Sequence, residues 1–400
     1  MIDDRIKEKV QAIEPWIIEH RRELHKIPER STQEFKTRDY IKEALENLGI
    51  EVQEGYYNTG LVGIITGDKP GGTLGLRFDM DALEMEEKVD VPFKSKHDGL
   101  MHACGHDGHM SMGLGTAKVL SQMKDEIHGT VKLVFQPAEE DATTGGGAQY
   151  MIKDGVLKDE PKIEAMVGMH IWPKLKIGEV GSRVGPMMAA SDPFNVEVIG
   201  EGVHASLPYL GIDPIVTASQ IIVNLQSVIS RNVDPFEQGV VSIGMIHGGT
   251  RYNTIPDIVK FHGTVRTFNE ETRLRIHDRM KAVIEKGAEA MGAKANFNYT
   301  FGYPPTMNEE HMVAVARKAT EEILGEGKFV EVERPAPGGE DFAFFSKEVP
   351  SVFLWLGYAE EGKDVYAPHS PYYEFNEKIL AVGTKVLCKT ALNWGKLKIS

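Results

Sequence analysis

Thr73-Leu74-Gly75-Leu76-Arg77-Phe78-Asp79-Met80-Asp81 is an apolar, β-rich run that stops on two carboxylates. The pattern recurs along the chain. The run 130–135 is followed through Gln136-Pro137-Ala138 by Glu139-Glu140, the run 165–169 by His170, and the run 352–356 by a loop carrying His369. A further β-rich run covers 61–66, and helical segments are predicted at 110–123 and 147–153. Strands alternating with helices predict an α/β layer with a mixed, largely parallel sheet. Open sheets of that kind collect ligands at the carboxyl ends of their strands. Four separate segments therefore deliver ligand-type groups to one sheet edge.

Residues 3–26 place Ile6, Val10, Ile13, Ile17 and Leu24 at helical spacing, with Pro15 as a candidate kink. The middle of the chain reads differently. Strands are predicted at 194–199, 240–247, 259–268 and 294–301, and helices at 213–230, with Pro214 in its first turn, and at 270–291. That order, β-α-β-β-α-β, is the ferredoxin-like pattern. The α/β pattern then resumes with a helix at 309–324, the strand 352–356 and a last helix at 377–394. The expectation is a discontinuous domain of 1–186 and 302–400, with an α+β domain of 187–301 inserted between Gly185-Pro186 and Pro304-Pro305.

The chain has 400 residues, 41% hydrophobic and 26% charged, enough for two domains and a sizeable core. Its 45 basic and 59 acidic residues give a net charge of −14, which disfavours nucleic acid or an anionic membrane as partner. There is no apolar run of about 18 residues and no basic, apolar leader. Two distant cysteines make no disulfide framework. A cytoplasmic setting is the expectation.

His102-Ala103-Cys104-Gly105-His106-Asp107-Gly108-His109 concentrates three imidazoles, a thiol and a carboxylate, the groups a divalent metal of intermediate softness prefers. Cys104 and His106, two residues apart on a glycine-containing loop, are predicted to face one centre. Glu140, His170 and His369 are predicted to complete one or two coordination spheres and leave a position for water. A metal lowers the pKa of bound water from about 15.7 towards about 7. Glu139 is read as the general base that takes the water's proton and later acts as acid, and Glu140 as a ligand. Adjacent residues on a strand point to opposite faces. This pair therefore needs an irregular turn, for which Pro137 provides. His102 and His109 are read as packed beside the site, and His25, His128, His247 and His262 as structural. The glycines at 145–147 lack the Lys-Ser/Thr of a phosphate loop.

In combination, Arg77-Phe78-Asp79-Met80-Asp81-Ala82-Leu83, the His102–His109 octapeptide, Gln136-Pro137-Ala138-Glu139-Glu140, Gly168-Met169-His170 and Pro368-His369-Ser370-Pro371 resemble the aminoacylase/hippurate hydrolase family. These are dinuclear metallo-amidohydrolases that include the indole-3-acetyl-amino-acid hydrolases. The resemblance implies a metallopeptidase-type catalytic domain with an inserted lid and dimerisation domain. It implies two divalent ions on Cys104, His106, Glu140, His170 and His369, with Glu139 as base and Asp79 beside the ligands. Zn²⁺ or Mn²⁺ is expected, with Co²⁺ and Ni²⁺ as alternatives. Gly200-Glu201-Gly202-Val203-His204-Ala205-Ser206-Leu207-Pro208 resembles the opening of the family's inserted domain, and implies that His204 polarises the scissile carbonyl, often from the neighbouring subunit. Asn253 and Arg266 resemble substrate contacts, Arg266 as a fork for a carboxylate. The implied substrate is a small N-acyl amino acid, cleaved to a carboxylic acid and an amino acid by metal-bound hydroxide in a homodimer or higher homo-oligomer. Alternatives are a deacetylase of N-acetyl-diaminopimelate or N-acetyl-cysteine, a dipeptidase or carboxypeptidase, and a non-catalytic metal-binding scaffold. Glu84 stands where proline is common in the family and Asn376 where an acidic residue is frequent. Those departures bear on substrate preference.

Overall fold

Seven consecutive residues, 73–79, are buried in the strand Lys69–Asp79, and eight, 351–358, in the strand Ser351–Ala359. Such runs need a cover on both faces, which is the condition of a parallel sheet between helices. The computed structural model describes residues 2–397 and supplies that arrangement. An eight-stranded sheet has the order Glu51–Tyr56, Gly60–Thr66, His128–Gln136, Lys69–Asp79, Ala165–Lys176, Ser351–Ala359, Val180–Ser182, Phe329–Glu331. The four central strands, 128–136, 69–79, 165–176 and 351–359, run parallel. Antiparallel pairs flank them, so the sheet is mixed and largely parallel, as the sequence predicts.

The helices Ile2–His25, His106–Ser121 and Lys378–Leu397 pack on one another and on the sheet. Ile6, Val10, Ile17, Leu114 and Leu387 lie in one continuous core with Leu76 and Leu133. The first helix runs through Pro15 without ending there. The main differences from expectation lie near the site. The helix predicted at 110–123 spans His106–Ser121, so His106 is its first residue rather than part of a loop. Gly105, at φ 90°, makes the turn into it, a backbone conformation open to glycine without strain. His170 does not end its strand. Ile171 and Trp172 continue the pairing, opposite Leu356 and Gly357, and the strand extends to Lys176. Trp172 and Trp355 stack there, with ring centroids 4.0 Å apart.

The chain divides into two compact units. The first comprises 1–187, 307–334 and 341–400, and holds the large sheet. The second, 188–306 with 335–340, contains a four-stranded antiparallel sheet in the order Gly239–Gly248, Ile258–Thr267, Asp192–Ile199, Lys294–Tyr299. The strand Asp192–Ile199 alternates buried with more exposed residues, and its inward Phe194, Val196 and Val198 meet Ile221 and Leu225 of the helix Pro214–Asn232 and Ile276 and Met280 of the helix Glu270–Ala290. Both helices start on side-chain caps: Asp213 accepts from the N–H groups of Ile215 and Val216, and Asn269 from that of Thr272. This is the ferredoxin-like β-α-β-β-α-β unit. Inside it Arg273 grips Asp192 through two bonds of 2.8 and 2.6 Å, and Tyr299 donates to the same carboxylate at 2.7 Å. Among the described residues, no helix is long and apolar enough to cross a membrane.

Candidate metal centre and active site

Two imidazoles of the centre, His106 and His170, are oriented by their other nitrogen. His106 Nδ1 donates to the carbonyl of Asp81 at 2.9 Å, which turns its Nε2 to the centre; that atom is buried and has no hydrogen-bond partner. His170 Nδ1 donates to the carbonyl of Ile171 at 2.7 Å and turns its Nε2 to within 3.3 Å of Cys104 Sγ. Fixing one nitrogen by a backbone carbonyl is the usual way to aim a metal-binding histidine. His369, at φ 67° in the loop after Ser351–Ala359, is tied to the Cys104 segment by its N–H, which donates to Ala103 at 2.8 Å. Its Nε2 lies 3.2 Å from Glu140 Oε1, which is also 3.9 Å from His106 Nε2.

The donor atoms of Cys104, His106 and His170 lie within 4.8 Å of one another, as do those of Cys104, Glu140 and His369, and those of His106, Glu139 and Glu140. The first two groups share Cys104. A thiolate can bridge two ions, so this donor set suits a pair of divalent cations. The electrostatics agree. Burial, then Glu140, Glu139 and Asp79, push the Cys104 thiol well above its usual range. Burial disfavours a charged His106, yet Asp79, Asp81 and Glu140 outweigh it and raise its pKa to about 10. A buried site that protonates a thiol and an imidazole so readily is one that favours added positive charge, which a metal supplies.

The five proposed ligands and Glu139 are thus brought together from four segments. The irregular turn required after the strand His128–Gln136 is present: Ala138 has φ 57°, in the left-handed region. Ala138 O accepts from Gly147 N at 2.9 Å, and Glu140 N donates to Asp81 Oδ2 at 2.9 Å. His109 is not available as a ligand. Its Nδ1 donates to Asp79 Oδ1 at 2.5 Å and its Nε2 accepts from the Ile171 N–H at 3.1 Å. Asp79 also receives Arg77 at 2.7 Å, and Arg77 reaches Asp341 at 2.7 Å. Burial would raise the Asp79 carboxyl, but His106, His109 and Arg77 hold it well below the usual carboxylate range.

The sequence assigns no orienting role to two groups that have one here. Asp81 accepts from Ser31 Oγ at 2.6 Å as well as from Glu140 N, and its Oδ1 sits 3.3 Å from His106 Nδ1, so it steadies two proposed ligands. Its place two residues after Asp79 was the available signal. Arg21 and His25 of the first helix lie 2.8 and 2.7 Å from Asp107, beside His106. His102 is buried, with neither ring nitrogen hydrogen-bonded.

The remaining predicted residues belong to the second unit. His204 is exposed on a short strand paired with Thr254-Ile255. Its Nδ1 accepts from Ser206 N at 3.2 Å, which leaves the proton on Nε2. Asn253 is exposed, and its carbonyl accepts from Ala205 N at 3.0 Å. Arg266 is half-buried on Ile258–Thr267; its Nη1 is enclosed without a hydrogen-bond partner, and burial lowers the guanidinium's pKa against the pull of Asp192.

A cysteine–histidine–carboxylate centre at the carboxyl edge of a largely parallel sheet, with a ferredoxin-like unit inserted in the chain, defines a metallohydrolase. The chain belongs to peptidase family M20/M25/M40, whose model matches residues 75–393, and it is a hydrolase acting on amide bonds. It is 40% identical over 384 residues to an N-acetyl-L-cysteine deacetylase of Bacillus subtilis, covering 96% of this chain and 89% of the relative. An IAA-amino acid hydrolase, ILR1-like 4, of Arabidopsis thaliana is 38% identical over 385 residues, 95% of this chain and 86% of its own. The crystal structure of the Bacillus subtilis YXEP protein, described as a dinuclear metal binding peptidase of the M20 family, superposes with a TM-score of 0.84 at 35% identity, covering 96% and 99% of the two chains.

Proposed function

We propose that the protein hydrolyses the amide bond of small N-acyl amino acids, with two divalent ions on Cys104, His106, Glu140, His170 and His369. The observation that carries this reading is that Glu139 stands within the same donor cluster as His106 and Glu140. A storage or scaffold site has no use for that extra carboxylate; a hydrolase needs one to move a proton. The relatives, a deacetylase of N-acetyl-L-cysteine and a hydrolase of IAA-amino acids, both point to an acyl group on an amino acid.

Ions bound at these donors would supply Lewis acidity to the scissile carbonyl and lower the pKa of a water. Glu139 takes the proton of the attacking water and hands it to the leaving amine. His204, with its proton on Nε2, donates to the carbonyl oxygen as charge develops there. Arg266 and Asn253 hold the amino-acid part, the guanidinium pairing with its carboxylate. Asp79 stays off the metal and orients His109. We read 1–186 with 302–400 as the catalytic domain and 187–301 as the lid and dimerisation domain of a homodimer. The edge strand Gly239–Gly248 exposes Met245 and Ile246, the kind of edge that a second copy protects.

The test has two arms. The apo-protein is reloaded separately with Zn²⁺, Mn²⁺, Co²⁺ and Ni²⁺ and assayed on acetyl, benzoyl and indoleacetyl amino acids by amine release. Glu139→Gln should keep its metal and lose about 10²–10⁴-fold in kcat. Near-normal turnover in that variant would remove Glu139 as the base.

A further inference from the structure

Two adjacent glutamates can serve one centre in different roles only if the backbone between strand and loop is held in an unusual form. Here that form is Ala138 at φ 57°, a conformation that a residue with a Cβ rarely adopts. Something must hold it there, and the structure supplies a group that the proposed mechanism does not use. Glu34 has no exposed surface. Its Oε1 accepts from the N–H of Ala138 at 2.9 Å and from the N–H of Thr32 at 3.0 Å. Its Oε2 accepts from the Thr59 hydroxyl at 2.7 Å. Thr32 is itself at φ 69°, and Tyr57 and Asn58, which lead into Thr59, are at φ 38° and 66°. One carboxylate therefore ties together three left-handed turns from distant parts of the chain.

We propose that Glu34 is a positioning residue that sets Glu139 through the backbone of Ala138; this rests on Glu139 being the base. A buried carboxylate is costly to keep, and among the described residues no basic side chain pairs with Glu34. Burial, with Asp81 nearby, pushes its pKa to about 8. Every partner it has is a backbone N–H or a hydroxyl. Glu34 also precedes the helix Phe35–Asn47, yet makes no side-chain cap bond to it, because the carboxylate is turned to Ala138 instead. The two glutamates of the turn have separate anchors. Glu140 is held by Asp81 at its own N–H, while the residue before Glu139 is held by Glu34. Glu34 thus governs proton transfer, and Asp81 governs ligation.

The metal-loaded enzyme tests this. Glu34→Ala should lower kcat by about 10–100-fold, as expected for a base displaced by a fraction of an ångström. KM should stay within about twofold, and metal per chain should match the parent. Glu34→Gln should rescue turnover to within about threefold, because its amide oxygen can accept both N–H groups and its NH₂ can donate to Thr59. If Glu34→Ala does not fold, Glu34→Asp takes its place: it keeps the carboxyl group but is one methylene short, and should lose kcat with metal retained. A purely structural role would move melting temperature, metal content and kcat together, and that result would overturn the proposal. So would parental kcat in the Ala or Asp variant. Glu139→Gln is run in parallel. If it is active, the base assignment has failed; if it is inactive while the Glu34 variants are at parental rate, the positioning role alone has failed.

Discussion

The backbone N–H of Glu140 donates to Asp81 Oδ2 at 2.9 Å, while the other oxygen of that carboxylate lies 3.3 Å from His106 Nδ1. Asp81 therefore joins two proposed metal ligands that are 34 positions apart in sequence. Asp81→Asn keeps the shape but replaces one acceptor with a donor, which meets either the Glu140 N–H or His106. Partners of this kind cost about 10–100-fold in metal affinity when changed. Metal retained after dialysis against graded chelator should fall by that factor, with the fold intact by circular dichroism.

Cys104 belongs to two of the three-donor groups that could hold an ion, the one with His106 and His170 and the one with Glu140 and His369. Its loss should therefore not simply weaken one of two sites. Cys104→Ala is expected to take metal content from two ions per chain towards one or none, measured by elemental analysis on the desalted protein. Cys104→Ser keeps an oxygen in place of sulfur, and should bind Mn²⁺ better relative to Zn²⁺ than the parent, because hard oxygen donors suit the harder ion. An unchanged stoichiometry in the alanine variant would take Cys104 out of the centre.

The large sheet was legible because its strands are apolar runs followed by ligand-type residues, and the inserted unit because its runs fall in the order β-α-β-β-α-β, with Pro214 in the first turn of its first helix. Legibility failed where tertiary contacts decide the backbone. The helix at His106–Ser121 begins with four residues whose pattern reads as a loop, and its start depends on the turn at Gly105 and on Asp107 meeting Arg21 and His25. The helix Phe35–Asn47 buries only Thr37, Ile41, Ala44 and Leu45, and its cap position is held by Glu34, which bonds elsewhere. Arg77 and Asp341 meet across 264 positions, a separation that no local pattern reveals. The ligand-type residues themselves were readable; the groups that aim them were not.

Gly147 closes the turn from its far side. Its N–H donates to Ala138 O at 2.9 Å, and a Cβ added there would lie 1.8 Å from Pro137 O. No rotamer relieves a clash with backbone, so Gly147→Ala must move the 137–140 segment. The expected result is a destabilisation on the order of 1–3 kcal/mol and a loss of about 10-fold or more in kcat. Denaturant melts and steady-state kinetics on the loaded enzyme measure the two separately. Parental kcat would show that the turn tolerates displacement, against the requirement that Glu139 and Glu140 be placed independently.

His20 packs edge-on against Trp16 at 4.0 Å, and its Nδ1 lies 2.6 Å from the Tyr40 hydroxyl. Burial, then the charge of Lys118, lowers its pKa from 6.5 to about 4. Burial, then the charge of Glu23, pushes the Tyr40 pKa above its usual value, so its hydroxyl keeps its proton and donates to the neutral ring. Because the unfolded chain binds this proton more readily than the folded one, the unfolded state takes up more protons between pH 6.5 and 4. Folding stability from this group is therefore complete above pH 6.5 and is lost as pH falls through that window. At about 1.4 kcal/mol per tenfold in proton affinity, the loss is on the order of 2–3 kcal/mol. His20→Gln keeps a side chain that Tyr40 can bond but has nothing to protonate. Urea melts from pH 7 to pH 4 should show a shallower decline for this variant than for the parent, by that amount. Parallel curves would mean that His20 titrates alike in both states.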